Sequence, residues 1–329
     1  MTSQGRYDES RRNDLKRIAE ETLQVIDVDG MYPYKGVDQE LRPRLKEAIR
    51  GTKFYPPDSP VALWATTKLD PSRTPSPAHI SVLNVSTLDA ARLLQNAYKN
   101  NPREHGLVTG LLNFASATKP GGGFKNGAEA QEESIARSST LYPTLVSKEG
   151  SKFYKLHKAE SAQNSAAYYS HAIIYSPKVT VFRDDDGVWT YPFEVDVLSC
   201  AAVNAGELRK SLDGPITSGL EVFIEKEMTE RMGRILYVFE QHGIRNLVLG
   251  TFGTGVFRNN VATVARIWAQ LLITADARFK DSFDRIIFAV TGEETFAEFQ
   301  NAFDAWRQSS TSVMSCGWLV EYQGGLIQE

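Results

Sequence analysis

The sequence predicts an α/β protein, a parallel sheet covered by helices with a helical extension at the N-terminus. Three observations carry this. The last third alternates strand, glycine-rich loop, helix, strand and helix, the rhythm of parallel strands joined by crossover helices. The length of 329 residues gives ample chain for one buried core, and 42% hydrophobic with 23% charged content is ordinary for a soluble globular protein. No stretch approaches the ~20 apolar residues that would cross a membrane.

The elements follow in order. Arg12 to Ile26 places Leu15, Ile18, Ala19, Leu23 and Ile26 at helical spacing, and Gln39 to Arg50, before Gly51, reads as a second short helix. The proline-rich run Leu69 to Pro77 reads as a surface loop. Ile80 to Val85 fits a strand, and Thr87 to Lys99 a helix capped by Ser86 or Thr87. Gly106 to Phe114 reads as a buried strand, and Gln131 to Leu141 as a helix stopped by Pro143. Strands are expected at His171 to Tyr175, Lys178 to Phe182 and Glu194 to Val203, and a long amphipathic helix from Gly219 to His242, ended by Gly243. Asn246 to Gly250 and Arg285 to Val290 read as strands, Val261 to Ile273 and Glu293 to Trp306 as helices. No linker divides the chain, so residues 1–329 read as one domain, with residues 1–60 a helical extension packed on it.

Net charge is −3, so no basic field draws the protein to nucleic acid, and direct DNA binding is not expected. The polar start, Met1 to Asp14, lacks the apolar core of a secretory signal. Two cysteines, Cys200 and Cys316, are too few for a disulfide scaffold. An intracellular, cytoplasmic location is expected, with nuclear residence left open for a eukaryote, and the expected state is a monomer.

The chemistry concentrates in Gly121-Gly122-Gly123, a seven-residue spacer, and Gln131-Glu132-Glu133. Successive glycines let the backbone approach a ligand with no side chain in the way. Two adjacent carboxyls supply a proton donor and a hydroxyl acceptor in one small volume, which suits a sugar or sugar phosphate. The plain alternative is a solvated helix start, where glutamates interact with the dipole. Three glycines in a row weigh against it, because their entropic cost is heavy in a merely structural loop.

A second loop, Gly250 to Asn260, lies between a strand and a helix. It is neither the dinucleotide fingerprint nor a P-loop. Small residues there favour anion binding through exposed N–H groups and the helix dipole, and equally suit a tight turn built for packing. Phe257 could pack on a ribose or belong to the core.

The Gly-Gly-Gly and Gln-Glu-Glu pattern resembles the signature of poly(ADP-ribose) glycohydrolases. Leu112 to Pro120, Tyr175 to Asp184 and Gly250 to Asn260 resemble the microbial branch of that family. The resemblance runs over essentially the whole chain. It implies a macrodomain-like three-layer fold, a mixed, largely parallel sheet between helices, with an ADP-ribose cleft at one end.

It also implies roles. Glu133 would be the catalytic acid/base, Glu132 would bind ribose hydroxyls beside the scissile bond, and Gln131 would support the loop. Gly121, Gly122 and Gly123 would line the ribose and diphosphate, with Asn113 a further ribose contact. Gly253, Thr254, Gly255, Val256 and Phe257 would wrap the diphosphate and the distal ribose. Lys119 stands where microbial relatives often carry a polar amide, and no role is carried onto it. The partners implied are poly(ADP-ribose) or an ADP-ribosylated protein, with ADP-ribose as product.

The residues agree with that chemistry. Cleaving a ribose–ribose O-glycosidic bond passes through an oxocarbenium-like state and needs a proton at the leaving oxygen. A carboxyl keeps that proton near neutral pH through partial burial or neighbouring negative charge. Glu132 and a bound diphosphate supply such charge. No metal or cofactor is needed. His79, His105, His157, His171 and His242 pair with no nucleophile in a recognisable motif, and each reads as a surface or satisfied core histidine. Asp184-Asp185-Asp186 before Gly187 reads as a solvated acidic turn with too few further ligands for a metal. Two alternatives stay open: a hydrolase of mono-ADP-ribose on protein side chains, and a non-catalytic ADP-ribose reader.

Overall fold

A computed structural model describes residues 3–68, 76–99, 108–161, 167–211 and 218–323. Most of the proline-rich run, His105, Gly106 and the side chain of Cys316 lie outside the described residues.

Helix α1 (Ser3–Gln24) leads into a hairpin of β1 (Met31–Tyr34) and β2 (Val37–Glu40), then α2 (Arg42–Gly51) and β3 (Lys53–Tyr55). Next come β4 (His79–Leu83), α3 (Thr87–Lys99), β5 (Thr109–Phe114), α4 (Gln131–Ser138), α5 (Leu141–Leu145) and α6 (Gly150–Ser161). The chain continues through β6 (Ile173–Arg183), β7 (Trp189–Cys200), α7 (Ala205–Lys210), α8 (Ser218–Gln241), β8 (Asn246–Leu249), α9 (Val261–Leu272), β9 (Arg285–Ala289) and α10 (Glu293–Gln323).

Seven strands form one sheet in the order β3-β6-β7-β5-β8-β9-β4. From β7 to β4 the neighbours run parallel, while β6 is antiparallel to both β7 and β3. The expected mixed, largely parallel sheet between helices is therefore present. Strand alternation divides the core. Leu112, Leu198, Leu247 and Phe288 face α8, α9 and α10, whereas Leu111, Val197, Val248 and Ile287 face α3 to α6.

Four details depart from the sequence reading. The first sixty residues are not only helical, because Val37–Glu40 pairs as a strand and Lys53–Tyr55 joins the main sheet. The two strands expected between His171 and Phe182 are one strand with a register shift between Ser176 and Val179. Lys178 sits there at φ +53 and its N–H donates to Asp196 Oδ1 at 2.9 Å. Pro143 does not stop α4. Ser139 does, in an extended conformation that bridges to Val181, and Pro143 sits in the first turn of α5, where no N–H is required. Finally, α10 runs well past Trp306.

Candidate active site

Strands β5 and β8 are parallel neighbours, so both glycine-rich loops leave the sheet side by side at its carboxyl end. Phe114 and Phe252, at the loop roots, place their rings 5.8 Å apart.

The first turn of α4 begins with Gln131-Glu132-Glu133, and its N-cap residue, Ala130, has no side chain that could cap it. Neighbouring elements hold the turn instead. The pairing of β8 with β5 stops at Leu111, and β5 runs on to Phe114. Gln131 takes over the vacated edge: its Nε2 donates to Leu112 O at 2.7 Å and its Oε1 accepts from Phe114 N at 2.8 Å. Nε2 also reaches Thr87 Oγ1 at the start of α3.

The two glutamates sit in different surroundings. Glu132 is buried, and its Oε2 accepts from Ser116 N at 2.7 Å. Its Oε1 accepts from Asn113 Nδ2 at 3.3 Å, and the same amide is held by Ser199 Oγ at 2.9 Å. Burial pushes the Glu132 carboxyl up to about 8 against those hydrogen bonds, and the Glu133 charge adds to the rise, so near pH 7 Glu132 is largely uncharged and does not supply the negative charge expected of it beside Glu133. Asn113 is fully buried behind Glu132, with no exposed surface for the ribose contact expected of it, and its amide is spent on Glu132 and Ser199. Glu133 is half-buried, and its Oε1 accepts from Gly123 N at 2.8 Å. Gly122 makes that approach possible. Its φ is +59, and a Cβ there would stand 2.2 Å from Glu133 Oε1.

The second loop is braced from within. Asn259, buried, donates from Nδ2 to Val203 O at 2.8 Å and to Gly253 O at 3.0 Å. Gly253 has φ +77, and a Cβ there would meet Ala202 Cβ at 2.3 Å. Phe257 packs half-buried against Tyr169, with centroids 5.6 Å apart, while Val256 is 86% exposed. Among the described residues, no protein acceptor takes the N–H groups of Gly253, Gly255, Val256 or Phe257. Asn260 then caps α9 by accepting from Thr263 N at 2.8 Å. Unpaired N–H groups clustered in a glycine-rich loop form a place for an anion. Thr254 differs from its neighbours, since its N–H and hydroxyl both turn back to Thr251 O.

Several residues escaped the sequence reading. Arg12 of α1 donates to Asn126 O at 2.9 Å, and Arg11 donates to Glu129 at 2.7 Å, so the N-terminal helix grips the spacer between the glycines and α4. Buried Arg137 holds the carbonyl of Ala128 from the other end of α4. Sequence separations above a hundred residues leave no local signal for the α1 contacts. A cavity of about 380 Å³ opens beside the first turn of α4, between Gln131, Ser134, Thr87, Thr251 and Asp185.

The Lys119 side chain is exposed, and its carbonyl accepts from Gly122 N at 2.9 Å. His157 is fully buried, and its Nδ1 lies 3.0 Å from Phe153 O. His242 meets Tyr55 at 2.8 Å and stacks on Tyr175, and His171 lies 3.2 Å from Glu227. Burial first, then nearby cations, pulls His171 down to about 3 and His242 to about 4. All three are neutral near pH 7, His157 in the core and His171 and His242 partly buried. His79 is exposed. The acidic turn is more than a solvated cluster, because Asp184 closes the turn and Asp185 accepts from two serines.

Fold and paired carboxyls together fit a macrodomain-like hydrolase, and the comparisons with known proteins agree. The catalytic-domain model of microbial-type poly(ADP-ribose) glycohydrolase matches residues 19–184. The poly(ADP-ribose) glycohydrolase of Thermomonospora curvata is similar at 35% identity over 90% of this chain and 100% of that one, with a TM-score of 0.76. The same enzyme bound to the inhibitor ADP-HPD is similar at 34% identity over 89% of this chain and 99% of that one, TM-score 0.73. The poly(ADP-ribose) glycohydrolase of Deinococcus radiodurans, in complex with ADP-ribose, is similar at 31% identity over 80% of this chain and 98% of that one, TM-score 0.67. No curated protein matches. The chain belongs to the microbial-type poly(ADP-ribose) glycohydrolase family, glycoside hydrolases acting on poly(ADP-ribose). No helix among the described residues is long and apolar enough to cross a membrane.

Proposed function

We propose that this protein hydrolyses ribose–ribose O-glycosidic bonds of poly(ADP-ribose) and releases ADP-ribose, with Glu133 as acid and then base. The observation that carries the assignment is the contrast between the two carboxyls. Glu132 is enclosed by Ser116, Asn113 and the glycine loop, whereas Glu133 is half-buried against Gly122 and Gly123. A proton donor must reach the sugar, and Glu133 is the carboxyl with that access.

In this reading the ribose lies over the glycine loop and the diphosphate rests on the N–H groups of Gly253, Gly255, Val256 and Phe257. Glu133 gives its proton to the departing ribose oxygen as the C–O bond breaks. The diphosphate offsets positive charge on the sugar ring. Ionised Glu133 then takes a proton from the water that attacks the anomeric carbon, and the acid is restored. Glu132 orients the ribose hydroxyls from its buried site. Gln131 and Asn113 hold the two ends of that arrangement without touching the sugar.

Labelled polymer and mono-ADP-ribosylated protein, digested side by side, test the reading. The wild-type protein is expected to release ADP-ribose from polymer. Glu133→Gln is expected to lower turnover by ~10²–10⁴ while ADP-ribose still binds. Intact polymer under conditions where ADP-ribose binds would overturn the proposal.

A further inference from the structure

We propose that Asp185, at the tip of the β6–β7 hairpin, is a positioning residue that sets the rotation of α4 and so the place of the Glu133 carboxyl. Asp185 Oδ1 accepts from Ser134 Oγ at 2.7 Å, and Oδ2 accepts from Ser86 Oγ at 2.6 Å. Ser134 is the residue after Glu133. Ser86 caps α3, its Oγ accepting from Asp89 N at 3.0 Å. One carboxylate thus ties the first turn of α4 to the start of α3, and both of its oxygens are used.

The hairpin itself has no need of this side chain. Asp184 Oδ1 accepts from the N–H groups of Asp186 and Val188, at 3.1 and 2.8 Å, and the Asp184 carbonyl accepts from Gly187. The neighbouring Asp186 is exposed, 3.9 Å from Arg11. The turn is closed by one aspartate, leaving the next to act outward.

Helix α4 has eight residues and no side-chain N-cap, so lateral contacts must fix its rotation. Gln131 anchors its first turn toward β5, while the hairpin holds the first turn at Ser134 through Asp185 and the last residue at Ser138, whose Oγ donates to Asp184 O at 3.1 Å. Side-chain ends stand about 5–6 Å from a helix axis, so a rotation of about 10° moves a carboxyl by about 1 Å. A misplacement of ~1 Å at a reacting group costs up to ~10²-fold in rate.

This inference rests on the proposal that Glu133 transfers the proton, and the experiment separates the two. Asp185→Ala, Ser134→Ala and the double variant are assayed for kcat and KM on polymer, for ADP-ribose affinity and binding stoichiometry, and for thermal midpoint. Asp185→Ala is expected to lower kcat per ADP-ribose-binding site by ~10–100-fold, with ADP-ribose affinity within about twofold of wild type. Ser134→Ala should lower kcat in the same way, and the double variant should be no worse than Asp185→Ala. Asp185→Asn, which keeps one acceptor oxygen, should fall between Asp185→Ala and wild type. Wild-type kcat in Asp185→Ala beside an inactive Glu133→Gln overturns this role alone, as do independent, multiplying effects of the two sites. Should Asp185→Ala fail to fold, Ser134→Ala decides: unchanged kcat overturns the role. Full turnover in Glu133→Gln overturns the functional reading instead.

Discussion

The backbone N–H of Gly123 donates to Glu133 Oε1 at 2.8 Å, so the glycine loop closes onto the helix that follows it. The contact spans ten residues of chain and depends on the bare Cα of Gly122 between them.

Replacing Gly122 by Ala therefore acts on the chemistry and the backbone together. The left-handed conformation costs a side chain ~1–2 kcal/mol. The new Cβ would also push the Glu133 carboxyl aside. Turnover should fall about 100-fold with a modest drop in thermal midpoint. Wild-type kinetics in Gly122→Ala would mean that the Gly123–Glu133 contact is dispensable.

Glu132 gives a pH signature. Its folded value is raised from 4.5 to about 8, by burial above all. Below the unfolded value the carboxyl is protonated in both states and the favourable contribution is complete. As pH rises toward and through about 8 that contribution is lost, by at most ~5 kcal/mol. Denaturant melts from pH 5 to 9 should show stability falling across this window, and Glu132→Gln should flatten the fall. Parallel curves for the two proteins would exclude Glu132 as the titrating group.

Arg12→Ala should loosen the loop without unfolding the protein. Arg12 is exposed, and among the described residues its side chain holds the carbonyl of Asn126 at 2.9 Å. Faster hydrogen exchange from Asn126 to Ala130, with kcat reduced several-fold, is the expected result. Unchanged exchange there would show that the spacer holds its shape without α1.

Asn259→Ala removes two side-chain hydrogen bonds that brace the second loop, the one to Val203 O buried and the one to Gly253 O part-buried. A stability loss of ~1–3 kcal/mol is expected, chiefly from the Val203 carbonyl left behind, since Gly253 O keeps the backbone N–H of residue 259. ADP-ribose affinity should weaken more than kcat on polymer. If kcat falls and affinity holds, the second loop is serving the chemical step and not binding.

Much of the architecture was legible because strand alternation and helical spacing are local properties. Leu111 and Leu112 already announce a strand buried on both faces. The pairing of three glycines with Gln131-Glu132-Glu133 was legible for the same reason, since both lie within one short stretch. The supports of that stretch were not. Arg12 meets Asn126, and Ser134 meets Asp185, only because α1 and the β6–β7 hairpin fold over α4. Lys178 gives no warning that it will take φ +53, because Asp196, supplied by the next strand, receives its N–H. The break at Ser139 is equally tertiary in origin, set by its bridge to Val181.

Gln131 imitates a peptide unit. With one atom it offers a hydrogen to the main chain of β5, and with another it receives one, filling in for a strand that ends too soon. An acid of the same length cannot do both when ionised, and would set its charge against the carbonyl of Leu112. The amide-acid-acid order is thus not interchangeable, and a Gln131→Glu chain would keep the length of that side chain while losing the seam that anchors the helix.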